Sequence, residues 1–175
     1  VGLHVLEAGE GPLVLLLHGF PELAWSWRHQ LSALAEAGYR AVAPDLRGYG
    51  ASDCPEAIDA YTIFHLVGDV VGLVDHYRAE RAVVVGHDWG SILAWGAATL
   101  RPQRFRGVCG MSVPFLPRMP VRPTEMMKAL AGDRFVYILY FQEPGRAEAE
   151  LEADVRTSLR KIFYTASGSL PEGCL

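Results

Sequence analysis

Val83-Val84-Val85-Gly86-His87-Asp88-Trp89-Gly90-Ser91 reads as a buried strand that runs through one sharp turn straight into a helix. The valine run shows no apolar–polar alternation, as expected of a strand covered on both faces. Gly86 and Gly90 stand two positions before and two after Asp88. Small residues there suit a turn so tight that strand packs on helix without side chains between them. Such a turn lifts its central residue above the sheet edge and aims it at the helix N-terminus. In serine hydrolases that residue is Ser; here it is Asp88. Asp is also a common helix cap, but five matching positions at a strand–helix junction favour a chemical role.

Outward from this turn, apolar runs alternate with helical patterns. A continuous strand over 14–17 ends at His18-Gly19. A helix over 26–37, with Trp27, Leu31 and Leu34 turned inward, stops at Gly38. Arg40–Pro44 is a second strand, and Gly48, Gly50 and Pro55 make 45–55 a loop braced by Asp45 and Arg47. A helix over 62–77 puts Leu66, Val70, Leu73 and Val74 on one side. Strand 82–86, helix 89–100 and strand 105–112 follow. The alternation predicts an α/β chain with a mostly parallel sheet, helices on both faces and right-handed crossovers.

The texture changes after Ser112. Pro114, Pro117, Pro120 and Pro123 form a linker, followed by a short helix over 124–132 capped by Thr124. A longer amphipathic helix over 147–163 carries the stripe Leu151, Val155, Leu159 and Ile162. We therefore expect a core over 1–114 and the start of a helical cap over 115–175. The chain reads as the front part of a longer protein.

Composition narrows the function classes. The 175 residues are 50 % hydrophobic and 21 % charged, the balance of a globular domain. Sixteen basic against twenty acidic residues leave no basic block for nucleic acid or an anionic membrane. The longest apolar run, Leu13–Leu17, is far short of the ~20 residues that span a bilayer. Cys54, Cys109 and Cys174 fit neither a disulfide framework nor a metal site. With no leader pattern, they point to a reducing cytoplasm. No cofactor or metal is implied, and self-association is left open.

The aspartate sets the reaction class. Aspartate titrates near ~3.9, so at neutral pH it attacks without a base. It can displace a leaving group at a saturated carbon, and water can then hydrolyse the ester at the aspartate's own carbonyl carbon. A serine alkylated this way would be trapped as an ether. The position thus points to opening an epoxide or expelling a halide. Ester hydrolysis passes through an oxyanion that needs preplaced donors. The N–H of Trp89 and that of Phe20, in His18-Gly19-Phe20-Pro21, are placed to supply them.

Four segments together resemble the soluble epoxide hydrolases of the α/β-hydrolase fold. They are His18-Gly-Phe-Pro-Glu22, Asp45-Leu-Arg-Gly-Tyr-Gly-Ala-Ser52, Val85-Gly-His-Asp-Trp-Gly-Ser91 and Tyr140-Phe-Gln-Glu-Pro-Gly145. The resemblance runs over essentially the whole chain. It implies Asp88 as nucleophile, Phe20 and Trp89 as oxyanion donors, a cis Phe20–Pro21 bond and a small apolar epoxide as substrate. Two tyrosines on the cap hydrogen-bond the epoxide oxygen in that family. Tyr137 matches the first, with Tyr140 second choice and more simply a packing residue. Pro21, Trp25 and Tyr140 are the candidates for lining the substrate pocket.

The family's second step uses a histidine after the nucleophile. Here His4, His18, His29, His65, His76 and His87 all precede Asp88. His87 reads as a packing residue. The last strands and the second cap tyrosine also find no match, so the chain covers the first half to two-thirds of the family domain. Two other readings stay open. A dehalogenase could use the same aspartate, although its relatives place a polar or indole donor at Phe20, or Arg at Trp89. A non-catalytic α/β module would need no histidine.

Overall fold

A computed structural model describes residues 1–167. The chain divides into two compact units, Val1–Leu116 and the segment from Pro117 onward. The first holds a five-stranded sheet of β1 (Val5–Ala8), β2 (Leu13–Leu17), β3 (Arg40–Pro44), β4 (Ala82–His87) and β5 (Phe105–Met111). Their spatial order is β1-β3-β2-β4-β5. β1 runs antiparallel to β3, and all other pairings are parallel.

Helix α1 (Arg28–Glu36) follows a 3-10 turn over Ala24–Trp27 and covers one face of the sheet. There Ala24, Trp27 and Leu31 bury Val14, Leu16, Ala41 and Ala43. Helices α2 (Ile63–His76) and α3 (Trp89–Leu100) cover the other face. They bury Leu13, Leu15, Leu17, Val42 and Val84. Successive side chains of a strand point to opposite faces, so coverage of both faces buries every residue of β2. Each fully buried leucine in it contributes roughly 1.5–3 kcal/mol. From β2 the chain winds to β3 on one side, then crosses to β4 on the other. The direction of winding switches between β2 and β4, and in open α/β sheets ligands bind outside the carboxyl ends of the strands at such a switch.

The second unit contains α4 (Pro123–Ala131), α5 (Tyr137–Tyr140), α6 (Arg146–Leu151) and α7 (Val155–Ala166). Two sequence expectations change here. Arg122, not Thr124, is the N-cap of α4, because Pro123 takes the first helical position, where its missing N–H costs nothing. The single helix over 147–163 is broken by a 3-10 turn at Glu152–Asp154. Asp154 leaves helical geometry at φ −150° and ψ 87°, and its carboxylate accepts the Thr157 N–H at 3.1 Å, starting a new helix. Among the described residues, no helix is long and apolar enough to cross a membrane. Cys54 and Cys109 are exposed free thiols, and Cys174 lies outside the described residues.

Candidate active site

One residue, Asp88, joins β4 to α3. Its backbone sits at φ 53° and ψ −118°, a left-handed region that costs a non-glycine residue about 1–3 kcal/mol. The neighbours hold it there. The Asp88 N–H donates to the Met111 carbonyl at 3.2 Å, and the Asp88 carbonyl accepts the Ser91 N–H at 3.0 Å. A Cβ on Gly90 would lie 2.1 Å from the Leu17 carbonyl oxygen, so only glycine lets α3 approach β2 this closely. The Asp88 side chain makes no capping bond to α3. Instead its Oδ1 accepts the backbone N–H of Phe20 at 2.9 Å. That observation disposes of the helix-cap reading.

The loop carrying Phe20 is fitted closely to Asp88. A Cβ on Gly19 would stand 2.5 Å from the Asp88 Cβ and 2.7 Å from its Oδ1. The Phe20–Pro21 peptide is cis. His18 anchors the loop from within the protein. Its fully buried ring accepts the Leu46 N–H at Nε2 (3.0 Å), which leaves Nδ1 to donate to the Gly19 carbonyl (2.9 Å). Burial lowers the His18 pKa, outweighing the Gly19 bond and the distant pull of Asp45 and Glu22. The ring is thus a neutral strut between the loops after β2 and β3.

A second buried group supports the same end of the sheet. Asp45 accepts the Ala24 N–H at 2.8 Å and the Ala51 N–H at 3.2 Å, and pairs with the His4 ring at 2.9 Å. Burial pushes its pKa up, but the two backbone donors and His4 outweigh this and bring it below the usual range. Arg47 lies alongside, forked onto Asp69 at 2.8 and 2.6 Å, and donates to the Ala60 carbonyl at 2.7 Å.

The structure corrects the reading of His87. Its ring is half-exposed and meets the Glu22 carboxylate at 3.1 Å, so it is one half of a polar pair rather than a packing residue. Glu22 closes the His18–Glu22 motif, but nothing local ties it to a partner 65 positions on. Trp89, the first residue of α3, is 40 % exposed. Trp25 is 65 % exposed, with the Arg28 guanidinium 5.6 Å from its ring centre. In the second unit, Tyr137 opens α5 and packs edge-on to Phe141 at 5.6 Å. The Tyr140 hydroxyl donates to the Glu150 carboxylate, which raises its pKa. A cavity of about 380 Å³ in the first unit, lined by Leu3, Val5, Gly68, Asp69, Leu73 and Tyr77, excludes Asp88. Among the described residues, no His, Cys, Asp and Glu cluster could hold a metal ion.

The family description "alpha/beta hydrolase fold" matches residues 12–171 of this sequence. The chain belongs to the alpha/beta hydrolase fold family. Within it, this hydrolase-fold chain is 56 % identical over 165 residues to Epoxide hydrolase A of Mycobacterium tuberculosis, covering 93 % of the chain and 51 % of that protein. It is 49 % identical over 165 residues to Epoxide hydrolase 2 of Siraitia grosvenorii, covering 93 % and 52 %. The crystal structure of Epoxide Hydrolase A from Mycobacterium thermoresistibile superposes with a TM-score of 0.91 at 54 % identity, over 98 % of this chain and 54 % of that one. The chain thus spans about half the length of the curated relatives it matches.

Proposed function

We propose that this alpha/beta hydrolase fold chain carries the ester-forming half of an epoxide hydrolase, with Asp88 as nucleophile. The contact of the Phe20 N–H with Asp88 Oδ1 at 2.9 Å carries the reading. Asp88 Oδ2 would attack an epoxide carbon, forming a C–O bond as the strained ring C–O bond breaks. The released alkoxide takes a proton, and the Tyr137 phenol is the proposed donor. Oδ1 then becomes the carbonyl oxygen of the new ester. Water adding to the carboxyl carbon would place the negative charge on Oδ1, where the Phe20 N–H already points and the Trp89 N–H is the proposed second donor. In a serine elbow the oxyanion forms on the substrate; here it would form on the protein itself, so a donor bonded to the resting nucleophile suits the mechanism. Collapse breaks the ester C–O bond, and the departing alkoxide takes the proton of the new carboxyl O–H. This completes a vicinal diol and restores the carboxylate, and the proton lost by the water replaces the one the phenol gave.

The substrate assigned is a small apolar epoxide, with Pro21 and Trp25 beside the Phe20 loop as lining candidates. Tyr140 is placed behind Tyr137, since its hydroxyl is committed to Glu150. The segment 115–175 is read as the cap region, and the cytoplasm as the compartment. All six histidines precede Asp88, so the water-activating base of the second step has no candidate after the nucleophile. The chain alone would accumulate the ester.

Intact-mass spectrometry after incubation with an epoxide tests both parts. The expected result is one added epoxide mass mapping to Asp88, absent in Asp88→Asn. No adduct, or an adduct elsewhere, overturns the nucleophile. Repeated turnover to diol overturns the missing base. Any ester that does hydrolyse in oxygen-18 water should leave heavy oxygen in Asp88.

A further inference from the structure

Helix α3 does more than present Asp88. Ser91, three residues on, is fully buried, and its backbone N–H closes the first turn onto the Asp88 carbonyl. Its hydroxyl leaves the helix and donates to the Val113 carbonyl at 2.7 Å. One turn further, the Trp95 indole N–H donates to the same oxygen at 3.1 Å. A carbonyl oxygen has two lone pairs, and here two side chains of one helix meet them. The strand beneath is shaped for this contact. A Cβ on Gly110 would stand 2.4 Å from Trp95 Nε1 and 2.6 Å from Ser91 Oγ. Between Met111, which accepts the Asp88 N–H, and Val113, the chain bends at Ser112 with φ 69°. Phe115 then packs edge-on against Trp95 at 5.8 Å. The first compact unit ends one residue later, at Leu116.

We infer that Ser91 and Trp95 are positioning residues that rivet the exit of β5 to the nucleophile's own helix. The polypeptide that goes on to carry Tyr137 then starts from a point fixed relative to Asp88. Neither side chain is assigned a contact with substrate; both act through the Val113 carbonyl. Two donors on one acceptor also explain why this exit holds at a bend whose left-handed residue is not glycine. The functional consequence rests on the roles proposed above for Asp88 and Tyr137, whereas the rivet itself rests only on the contacts within the first unit.

The test uses the full chain with Ser91→Ala and Trp95→Phe, the latter keeping an aromatic ring against Phe115. Hydrogen exchange should rise in the stretch 110–117 in both variants, while peptides from β2 and β4 stay protected. Unchanged exchange at 110–117, or an even loss of protection across the sheet, overturns the rivet. The rate of ester formation at Asp88 should fall ~3- to 10-fold in Ser91→Ala, the size of one lost hydrogen bond. The effect of Tyr137→Phe should shrink in that background, because the two act on one arrangement. Strictly additive losses overturn the positioning role. If the unsubstituted chain forms no ester, the nucleophile reading fails while the exchange measurement still decides the rivet.

Discussion

The Phe20 N–H and Asp88 Oδ1 lie 2.9 Å apart although the residues are 68 positions apart in sequence. They meet because β2 and β4 are neighbours in register, with Leu17 opposite Gly86, so both strands end at the same level. A charge-assisted bond of this kind contributes roughly 1.5–3 kcal/mol and fixes the carboxylate's rotation about its own axis. The other oxygen is thereby given one direction in which to act.

The closeness of this fit is tested at Gly19. Gly19→Ala brings a methyl group to 2.5 Å from the Asp88 Cβ, so either the loop or the carboxylate must shift. We expect a stability loss of about 1–3 kcal/mol by urea unfolding. The initial rate of Asp88 ester formation should fall further than that loss alone would imply.

Stability should depend on pH through His18. Its folded-state pKa lies below the ordinary 6.5, so the unfolded chain takes up the proton first. The contribution is complete above about 6.5 and is lost as pH falls from there through the folded value. Asp45 acts in the same direction but only below its ordinary 3.8, so the two windows are separate. Thermal melting of the native chain should drop between roughly pH 7 and pH 5, and His18→Gln should flatten that slope. Equal slopes in the two proteins would assign the effect to other groups.

The Arg47–Asp69 fork offers a second energetic test. Their side chains are 7 % and 14 % exposed, so removing one partner strands a charge. Arg47→Met should cost about 3–5 kcal/mol in urea unfolding. The double variant Arg47→Met with Asp69→Leu should recover a large part of that loss, since no charge is left to desolvate.

The two tyrosines of α5 should separate cleanly. Tyr137→Phe is expected to slow Asp88 ester formation by ~10²–10⁴-fold, the range for a lost proton donor. Tyr140→Phe removes exposed contacts of the hydroxyl with Glu150 and the Arg146 carbonyl and should leave the rate unchanged. Single-turnover mass spectrometry reads both.

The amino-acid order alone determined the strand–turn–helix at Asp88 and the full burial of β2, whereas β4, expected to be covered on both faces, is fully buried only at alternate positions, with Val83 and Val85 partly exposed. The first two features are local, because an unbroken apolar run, a glycine on each side of a turn and one carboxylate lie within a few residues of one another. The start of α4 and the interruption at Asp154 were harder to read, because capping turns on one residue's backbone angles rather than on periodicity. The partner of His87, the tautomer of His18 and the shared acceptor of Ser91 and Trp95 were decided only by the tertiary structure. Each joins groups 18 to 65 positions apart, and nothing in the intervening residues encodes the pairing. The sheet register brings them within hydrogen-bonding distance, and burial then makes each contact costly to lose.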